Sequence, residues 1–303
     1  MQVIMYQANA FADKPFGGNP AGIVPDARDL SYEDMLKIVR LTNLSKVSFV
    51  NQVDKDNFEV RFFTSKEEID FCGYTTIATF YTLANKGYIT NISQGVVKVF
   101  QHTKIGTNPI EIHFKDWNIE KVGMYHNTPV SLGKYDDVDE ISSILSIDKE
   151  DIGIDFINIK PEILFTGKYD IIIPVKSRDI LNKLQFDSQK VNSNTITRDL
   201  ERIVEPRFHI FSLEEDDTIN CRQFESMSFI TECACSGTAN AGLIYYLKKN
   251  NLIKNSEVLC KQGEQIGRPS QIYCEIINDE CEYPIKVGGR GNVFFEGVVT
   301  IKD

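Results

Sequence analysis

Two cysteines stand where a turn runs into a helical pattern. Cys72 precedes Gly73, Tyr74 and Thr75 and a helix predicted over 75–86, with Ile77, Phe80, Tyr81 and Ala84 at helical spacing and Gly87 as its C-cap. Cys235 precedes Ser236, Gly237 and a helix predicted over 238–249. The first N–H groups of a helix have no intrahelical partners, and the dipole is positive there. A thiol so placed gains thiolate character, and the same N–H groups can hold a substrate carboxylate. Two such thiols on opposite sides of one bound molecule suit removal of a proton from one face of a carbon and its return to the other. The helix termini would stabilise the charge that develops as the α-carbon of a carboxylic acid loses its proton. The chemistry implied is racemisation or epimerisation with Cys72 and Cys235 as acid and base, without pyridoxal phosphate, another cofactor or a metal.

An internal repeat surrounds both cysteines. Arg61-Phe-Phe63-Thr-Ser65, then Cys72, then a helix through Tyr81 and Leu83 is matched by Arg222-Gln-Phe224-Glu-Ser226, then Cys235, then a helix through Tyr245 and Leu247. Tyr88-Ile89 and Gln94-Gly95 follow the first helix, and Leu252-Ile253 and Gln262-Gly263 the second. Order and spacing agree within a few residues. The repeat predicts two like domains about a pseudo-two-fold axis, an isologous dimer fused into one chain, with both cysteines facing a shared cleft.

These residues must be positioned by β-rich halves. Strands are predicted over 2–10, 21–24, 46–50, 58–64, 95–101 and 110–114, then 169–175 and 208–213. A helix over 31–42 starts at Ser31 and sets Met35, Ile38 and Leu41 on one face; a short one lies near 178–184. The polar stretch from Asp116 to Asp139 reads as a linker or domain crossing.

Composition narrows the function. The 303 residues hold 33 Lys+Arg against 43 Asp+Glu, a net charge of −10, which argues against nucleic acid and anionic membrane as partners. No apolar run is long enough to span a bilayer, and Met1 to Tyr6 has no signal-like character, so a cytoplasmic location is expected. Seven cysteines at irregular spacing read as free thiols rather than a disulfide frame. Cys221, Cys260, Cys274 and Cys281 are expected in the core. Cys233-Ala-Cys235 lacks the second pair a zinc site needs, and His102, His113, His126 and His209 are scattered. Gly288-Gly289-Arg290-Gly291 lacks the Lys-Ser/Thr ending of a phosphate loop and reads as a hairpin turn.

The sequence resembles the phenazine-biosynthesis PhzF-like isomerase family. The likeness lies in Met1 to Val24 with Phe11 to Ala21, Asn43 to Phe49, Arg61 to Gly73, Thr166-Gly167, Glu232 to Asn240, Gln262-Gly263 with Arg268-Pro-Ser270, and Val287-Gly288-Gly289. It implies an α+β, diaminopimelate-epimerase-like fold: two pseudo-symmetric half-barrel domains, 1–122 and 123–303, each a curled, mostly antiparallel sheet around a central helix. The last strands would return to the first domain. It also implies a small-molecule carboxylate substrate such as an amino acid, and a homodimer. The family's Ser-Glu-Thr is Ser45-Lys46-Val47 here, its Cys-Gly-His is Cys72-Gly73-Tyr74, and its Glu-Asp-Pro-Ala-Thr-Gly-Ser is Glu232 to Thr238. Cys72-Gly73 and Ala234-Cys235-Ser236-Gly237-Thr238 resemble instead the two-cysteine centres of diaminopimelate epimerase and proline racemase.

By this resemblance Asn19, Ser45 and Lys46 line the substrate site; Asn19 reads equally as a turn residue. Gly73, Tyr74, Thr75, Ser236, Gly237 and Thr238 would supply helix-terminus amides and hydroxyls, with Thr75 and Ser236 also serving as caps. Three activities stay open: a two-thiol racemase, a PhzF-type proton-shift isomerase acting on a cyclic unsaturated acid through other residues, and a non-catalytic binding protein.

Overall fold

The computed structural model describes residues 1–12, 14–155, 157–191, 207–214, 218–226, 232–277 and 284–301. It divides into two units, Met1–Tyr125 with Gly288–Asp303, and His126–Val287. Cys281 lies outside the described residues.

In the first unit, β1 (Gln2–Ala10) pairs antiparallel with both β2 (Asn19–Val24) and the final strand, Gly291–Thr300. Helix α1 (Tyr32–Thr42) carries the chain to β3 (Val47–Gln52), which runs parallel to β2. Strand β4 (Asn57–Phe63) follows antiparallel. One end of β4 pairs with the short β5 (Glu68–Ile69), the other with β6 (Gln94–Thr103); β7 (Gly106–Lys115) and β8 (Asn118–His126) complete the sheet. Between β5 and β6 runs α2 (Gly73–Asn85).

Helix α1 starts where Ser31 predicts, through a capping box. The Ser31 hydroxyl accepts the Asp34 N–H, and the Asp34 carboxylate accepts the Ser31 N–H. Its buried face is Met35, Ile38 and Val39; Leu41, expected there, is 70% exposed. At 3.6 residues per turn Ile38, Met35 and Val39 fall within an arc of about 100°, and Leu41 lies roughly 110° from its centre, on the solvent side.

Helix α2 is buried nearly all round, from Thr75 to Ala84 with only Tyr81 half exposed. It packs on β1, β2, β3, β7 and the final strand, so the sheet curls around it. Thr79 and Thr82 fit this setting because their hydroxyls donate to the carbonyls one turn back, of Thr75 and Ala78, each at 2.7 Å.

In the second unit, β9 (Val130–Lys134) and β11 (Tyr169–Pro174) flank β10 (Glu162–Phe165), both antiparallel to it. Helix α3 (Val138–Leu145) lies between β9 and β10 in sequence, and α4 (Arg178–Lys183) follows β11. Strand β12 (Arg207–Leu213) runs parallel to β11, and β13 (Thr218–Glu225) is antiparallel to β12. Strand β13 pairs at one end with β14 (Glu232–Cys233) and at the other with β15 (Glu257–Gln262), which pairs with β16 (Ser270–Ile276). Helix α5 (Gly237–Lys249), again almost fully buried, joins β14 to β15. Strand β17 (Ile285–Gly289) returns the chain to the first unit, and Arg290 separates it from the final strand, β18.

The fold is α+β, and the repeat is a repeat of topology. In both units an antiparallel pair leads through a helix to a parallel strand, then to an antiparallel strand with a short partner at one end and a parallel partner at the other. The Arg-x-Phe pattern is a structural clamp. Arg61 forks onto Glu68 at 2.8 and 2.9 Å and lies over Phe63; Arg222 forks onto Glu232 at 2.9 and 2.8 Å and lies over Phe224.

Two sequence expectations change. Gln94 opens β6 whereas Gln262 closes β15, so the two Gln-Gly pairs are not equivalent. The stretch from Asp116 to Asp139 is a crossing between the units, with the passage at Tyr125/His126, but no open linker: it holds β8, β9 and the start of α3. Ile119, Val122 and Met124 bury one side of β8 although the stretch is polar overall.

The clamps differ in burial, which sets a testable contrast. Arg222 is 8% exposed and also donates to the Leu181 and Leu184 carbonyls, whereas Arg61 is half exposed. Glu232→Gln leaves a buried guanidinium short of its counter-charge and should cost about 3 kcal/mol. Glu68→Gln should cost about 1 kcal/mol, because water reaches Arg61. Urea unfolding of the two variants measures the difference; equal costs would refute the burial argument.

Candidate active site

In the first unit Cys72 is the N-cap of α2, with extended backbone at φ −149° and ψ 110°. Its side chain makes no capping hydrogen bond, so the first-turn amides of α2 carry no side-chain cap. The thiol instead receives the Thr75 hydroxyl, Oγ1 to Sγ 3.1 Å, while the Thr76 hydroxyl holds the Cys72 carbonyl at 3.0 Å. Cys72 is 8% exposed, Thr75 is fully buried, and Gly73 and Tyr74 are half-buried. The Tyr74 hydroxyl lies 3.1 Å from Ser45 Oγ, tying the first turn to the loop before β3.

Lys46, next in that loop, is half-buried, and its carbonyl accepts the Gly22 N–H at 3.0 Å. Asn19 is the half-buried first residue of β2. It follows Gly18, whose φ of +66° and close approach to the Ala10 carbonyl exclude any side chain. The turn reading of this stretch is thus accurate for Gly18, while Asn19 itself is in a strand. Asn19 and Lys46 sit at the starts of parallel neighbours, β2 and β3, on which α2 packs.

In the second unit α5 has the same length as α2, 13 residues, but its N-cap is Ser236. The Ser236 backbone, at φ −142° and ψ 107°, matches that of Cys72, and its hydroxyl accepts the Ala239 N–H. Cap for cap, Cys72 corresponds to Ser236, Gly73 to Gly237 and Tyr74 to Thr238. The expected equivalence of the two cysteines is off by one residue: Cys235 precedes the cap and is 1% exposed. The signal lay in the glycines, since Gly73 and Gly237 each open a helix; matching cysteine to cysteine hid it.

The approach to α5 is propped from below. Gln262 Nε2 donates to the Cys233 carbonyl, Ser270 Oγ to the Ala234 carbonyl, each at 2.8 Å, and Cys233 Sγ to the Cys235 carbonyl. Gly263, at φ +82°, sits where a Cβ would meet the Arg268 and Ala234 carbonyl oxygens at 2.4 and 2.7 Å. Only glycine fits. Gln262-Gly263 and Arg268-Pro-Ser270 therefore brace this segment.

The first turns of α1, α3 and α4 carry Glu33 and Asp34, Asp139 and Glu140, and Asp179; α2 and α5 carry no acid there. The two central helices leave their positive ends uncompensated by their own sequence.

Sequence reasoning passed over a buried polar cluster beneath α5. The Arg207 guanidinium pairs with the fully buried Asp170 and reaches Thr238 Oγ1 at 3.2 Å. His209 and Gln223 are cross-strand partners in the same core, and Asn240 donates to the Ser236 carbonyl at 2.8 Å and to Gln262 Oε1 at 3.1 Å. A charged residue inside the otherwise apolar strand 169–175 was the available clue. Cys221, Cys260 and Cys274 pack in the core as expected. Among the described residues no group of His, Cys, Asp or Glu is arranged to hold a metal, and no helix is long and apolar enough to cross a membrane.

Burial holds His126 down to about 4, and burial with the charge of Arg207 holds His209 down to about 3. The unfolded chain titrates near 6.5, so between that pH and about 4 it binds protons that the folded chain refuses. Stability should fall as pH drops through this window. A His209→Asn variant should show a shallower slope in urea midpoints taken at pH 7, 6 and 5; an unchanged slope would contradict the assignment.

Comparison with known proteins places the chain. Residues 8–297 match the family model for phenazine biosynthesis-like protein. An uncharacterized isomerase of Clostridium acetobutylicum is 29% identical over 98% of both chains. The trans-2,3-dihydro-3-hydroxyanthranilate isomerase of Pseudomonas aeruginosa is 24% identical over 95% of this chain and 96% of its own. Among solved structures, a PhzF-family phenazine biosynthesis protein of Bacillus anthracis has a TM-score of 0.83 at 24% identity, covering 99% of this chain and 100% of its own. A hydroxyproline epimerase of Agrobacterium vitis with bound trans-4-hydroxy-L-proline has a TM-score of 0.59 at 10% identity, covering 100% and 93%. The chain belongs to the phenazine biosynthesis-like family, and it is an isomerase of that family.

Proposed function

We propose that this isomerase moves a proton at the α-carbon of an amino acid or related small carboxylic acid, with Cys72 and Cys235 as paired acid and base. The observation that carries the reading is the thiol of Cys72 at the uncapped N-terminus of α2, hydrogen-bonded by Thr75. In the reaction the C–H bond breaks and its proton passes to the thiolate of one cysteine. The electron pair spreads into the carboxylate, whose charge the first-turn amides of α2 and α5 stabilise. The other cysteine, as thiol, gives a proton to the opposite face, and the two sulfurs exchange protonation states. The likeness to a hydroxyproline epimerase supports the chemistry through the fold alone.

A second reading follows from Ser236 standing where Cys72 stands in the first repeat. A serine hydroxyl is a far weaker base than a thiolate, so proton transfer would then run through Cys72 alone. That suits a proton shift along an unsaturated acid; the Pseudomonas aeruginosa relative is named as an isomerase of trans-2,3-dihydro-3-hydroxyanthranilate, an acid of that kind.

Proton NMR in D2O over the common amino acids and a set of cyclic unsaturated carboxylic acids, with reductant and no added cofactor, tests both readings. Wild type should exchange a carbon-bound proton of at least one of these acids, and Cys72→Ala should lower the rate by at least about 100-fold. In the two-thiol reading Cys235→Ala does the same. Full turnover by Cys235→Ala with loss in Cys72→Ala transfers the reaction to the single-thiol reading, and full turnover by Cys72→Ala overturns both. A short bifunctional thiol reagent should join Cys72 to Cys235 within one chain only if both serve one substrate.

A further inference from the structure

We infer that Arg207 is a specificity-determining residue: with the Ser236 and Thr238 hydroxyls it forms an anchor for a substrate carboxylate at the first turn of α5. The inference rests on the reading above that the ligand is a carboxylic acid, and it names the side chain that selects for one.

Arg207 is 6% exposed, and one buried carboxylate, Asp170, accepts from its Nη2. The same Nη2 reaches Thr238 Oγ1 at 3.2 Å, and Thr238 Oγ1 lies 3.4 Å from Ser236 Oγ. Nε is buried with no hydrogen-bond partner among the described residues. A guanidinium has five N–H donors in a fixed fork, and this one is not saturated by Asp170.

Its position is electrostatically costly as it stands. A cation beside the positive end of a helix is repelled by the dipole, and α5 has no acidic residue in its first turn to offset either charge. Of the titratable groups around this pair, His209 is held neutral by burial and by Arg207 itself, and Lys168 adds a second positive charge felt by Asp170. Asp170 balances one positive charge and leaves the helix end unopposed. A ligand anion touching the Ser236 and Thr238 hydroxyls completes the balance.

The repeat supplies an independent observation. In β12 the residue paired with the clamp arginine Arg222 is Ile210, and Arg207 lies three residues before it. In β3 the residue paired with the clamp arginine Arg61 is Phe49, and Lys46 lies three residues before it. Each unit therefore sets a cation three residues before the strand position that pairs with its clamp arginine, although nothing else about residues 46 and 207 is shared. Only Arg207 is anchored by a buried acid, so the proposal is placed there.

The test compares binding of anthranilate with anthranilamide, and of L-proline with L-prolinamide, by titration calorimetry. Wild type should prefer at least one carboxylate to its amide by about tenfold or more, the scale of a charge-assisted contact. Arg207→Gln should bring that ratio near unity, and Arg207→Lys, which keeps charge and loses the fork, should restore part of it. Should Arg207→Gln not fold, Thr238→Val, which leaves the ion pair intact, should lower the ratio on its own. An unchanged ratio in folded Arg207→Gln or in Thr238→Val, or wild type binding neither carboxylate, overturns the anchor. Proton exchange by NMR keeps the two proposals separate. Wild-type exchange with an unchanged ratio in the variants removes the anchor and leaves the proton chemistry; a collapsed ratio with no exchange for any amino acid does the reverse.

Discussion

A helix buried along its whole length can present only its ends to a ligand. Both central helices are in this state, wrapped by strands of their own unit from the second turn to near the last. Their backbone donors are satisfied within the helix except in the first turn, whose N–H groups lack intrahelical partners; in α5 the Ser236 hydroxyl accepts one of them. The rest of each unit can be understood as holding that turn in place. In the first unit Thr76 grips the cap carbonyl and Tyr74 meets Ser45. In the second, Asn240 grips the cap carbonyl and Arg207 meets Thr238.

The same plan is carried out with different residues in the two units. The Arg-Glu clamps survive in both units because each supports a short strand that leads the chain to its helix. The caps have diverged. A thiol without a capping bond at Cys72 leaves amides and sulfur available; a hydroxyl at Ser236 caps its own helix and adds stability of the usual N-cap kind. Chemistry and capping compete for one side chain, and the two units have settled that competition differently.

Residues that support the site outnumber those that form it. Gly263, Ser270 and Gln262 bear no chemistry of their own, yet they fix the carbonyls of Cys233 and Ala234 just ahead of α5. The buried cluster of Asp170, Arg207, His209 and Asn240 would be an expensive core without a task, since burying an ion pair seldom repays its desolvation.

The pattern of the sequence alone determined the α+β class, the helices at Ser31 and after Cys72 and Cys235, the duplicated Arg-x-Phe strands and the family. The helices and strands rest on periodicity and on local chemistry: a capping serine, a glycine after a helix, alternation along a strand. The α+β class and the family rest on the resemblance carried by motifs spread along the chain. What only the tertiary structure decided was alignment between the halves and contact between distant positions. Cys235 and Cys72 share a residue type but not a cap position, because cysteine has no capping preference of its own and the residues around it set where each helix begins. The partnership of Asp170 with Arg207 and Thr238 joins residues far apart in sequence, through the parallel register of β11 and β12. No local pattern records such a pairing, since it arises when the chain folds back and one strand selects its neighbour.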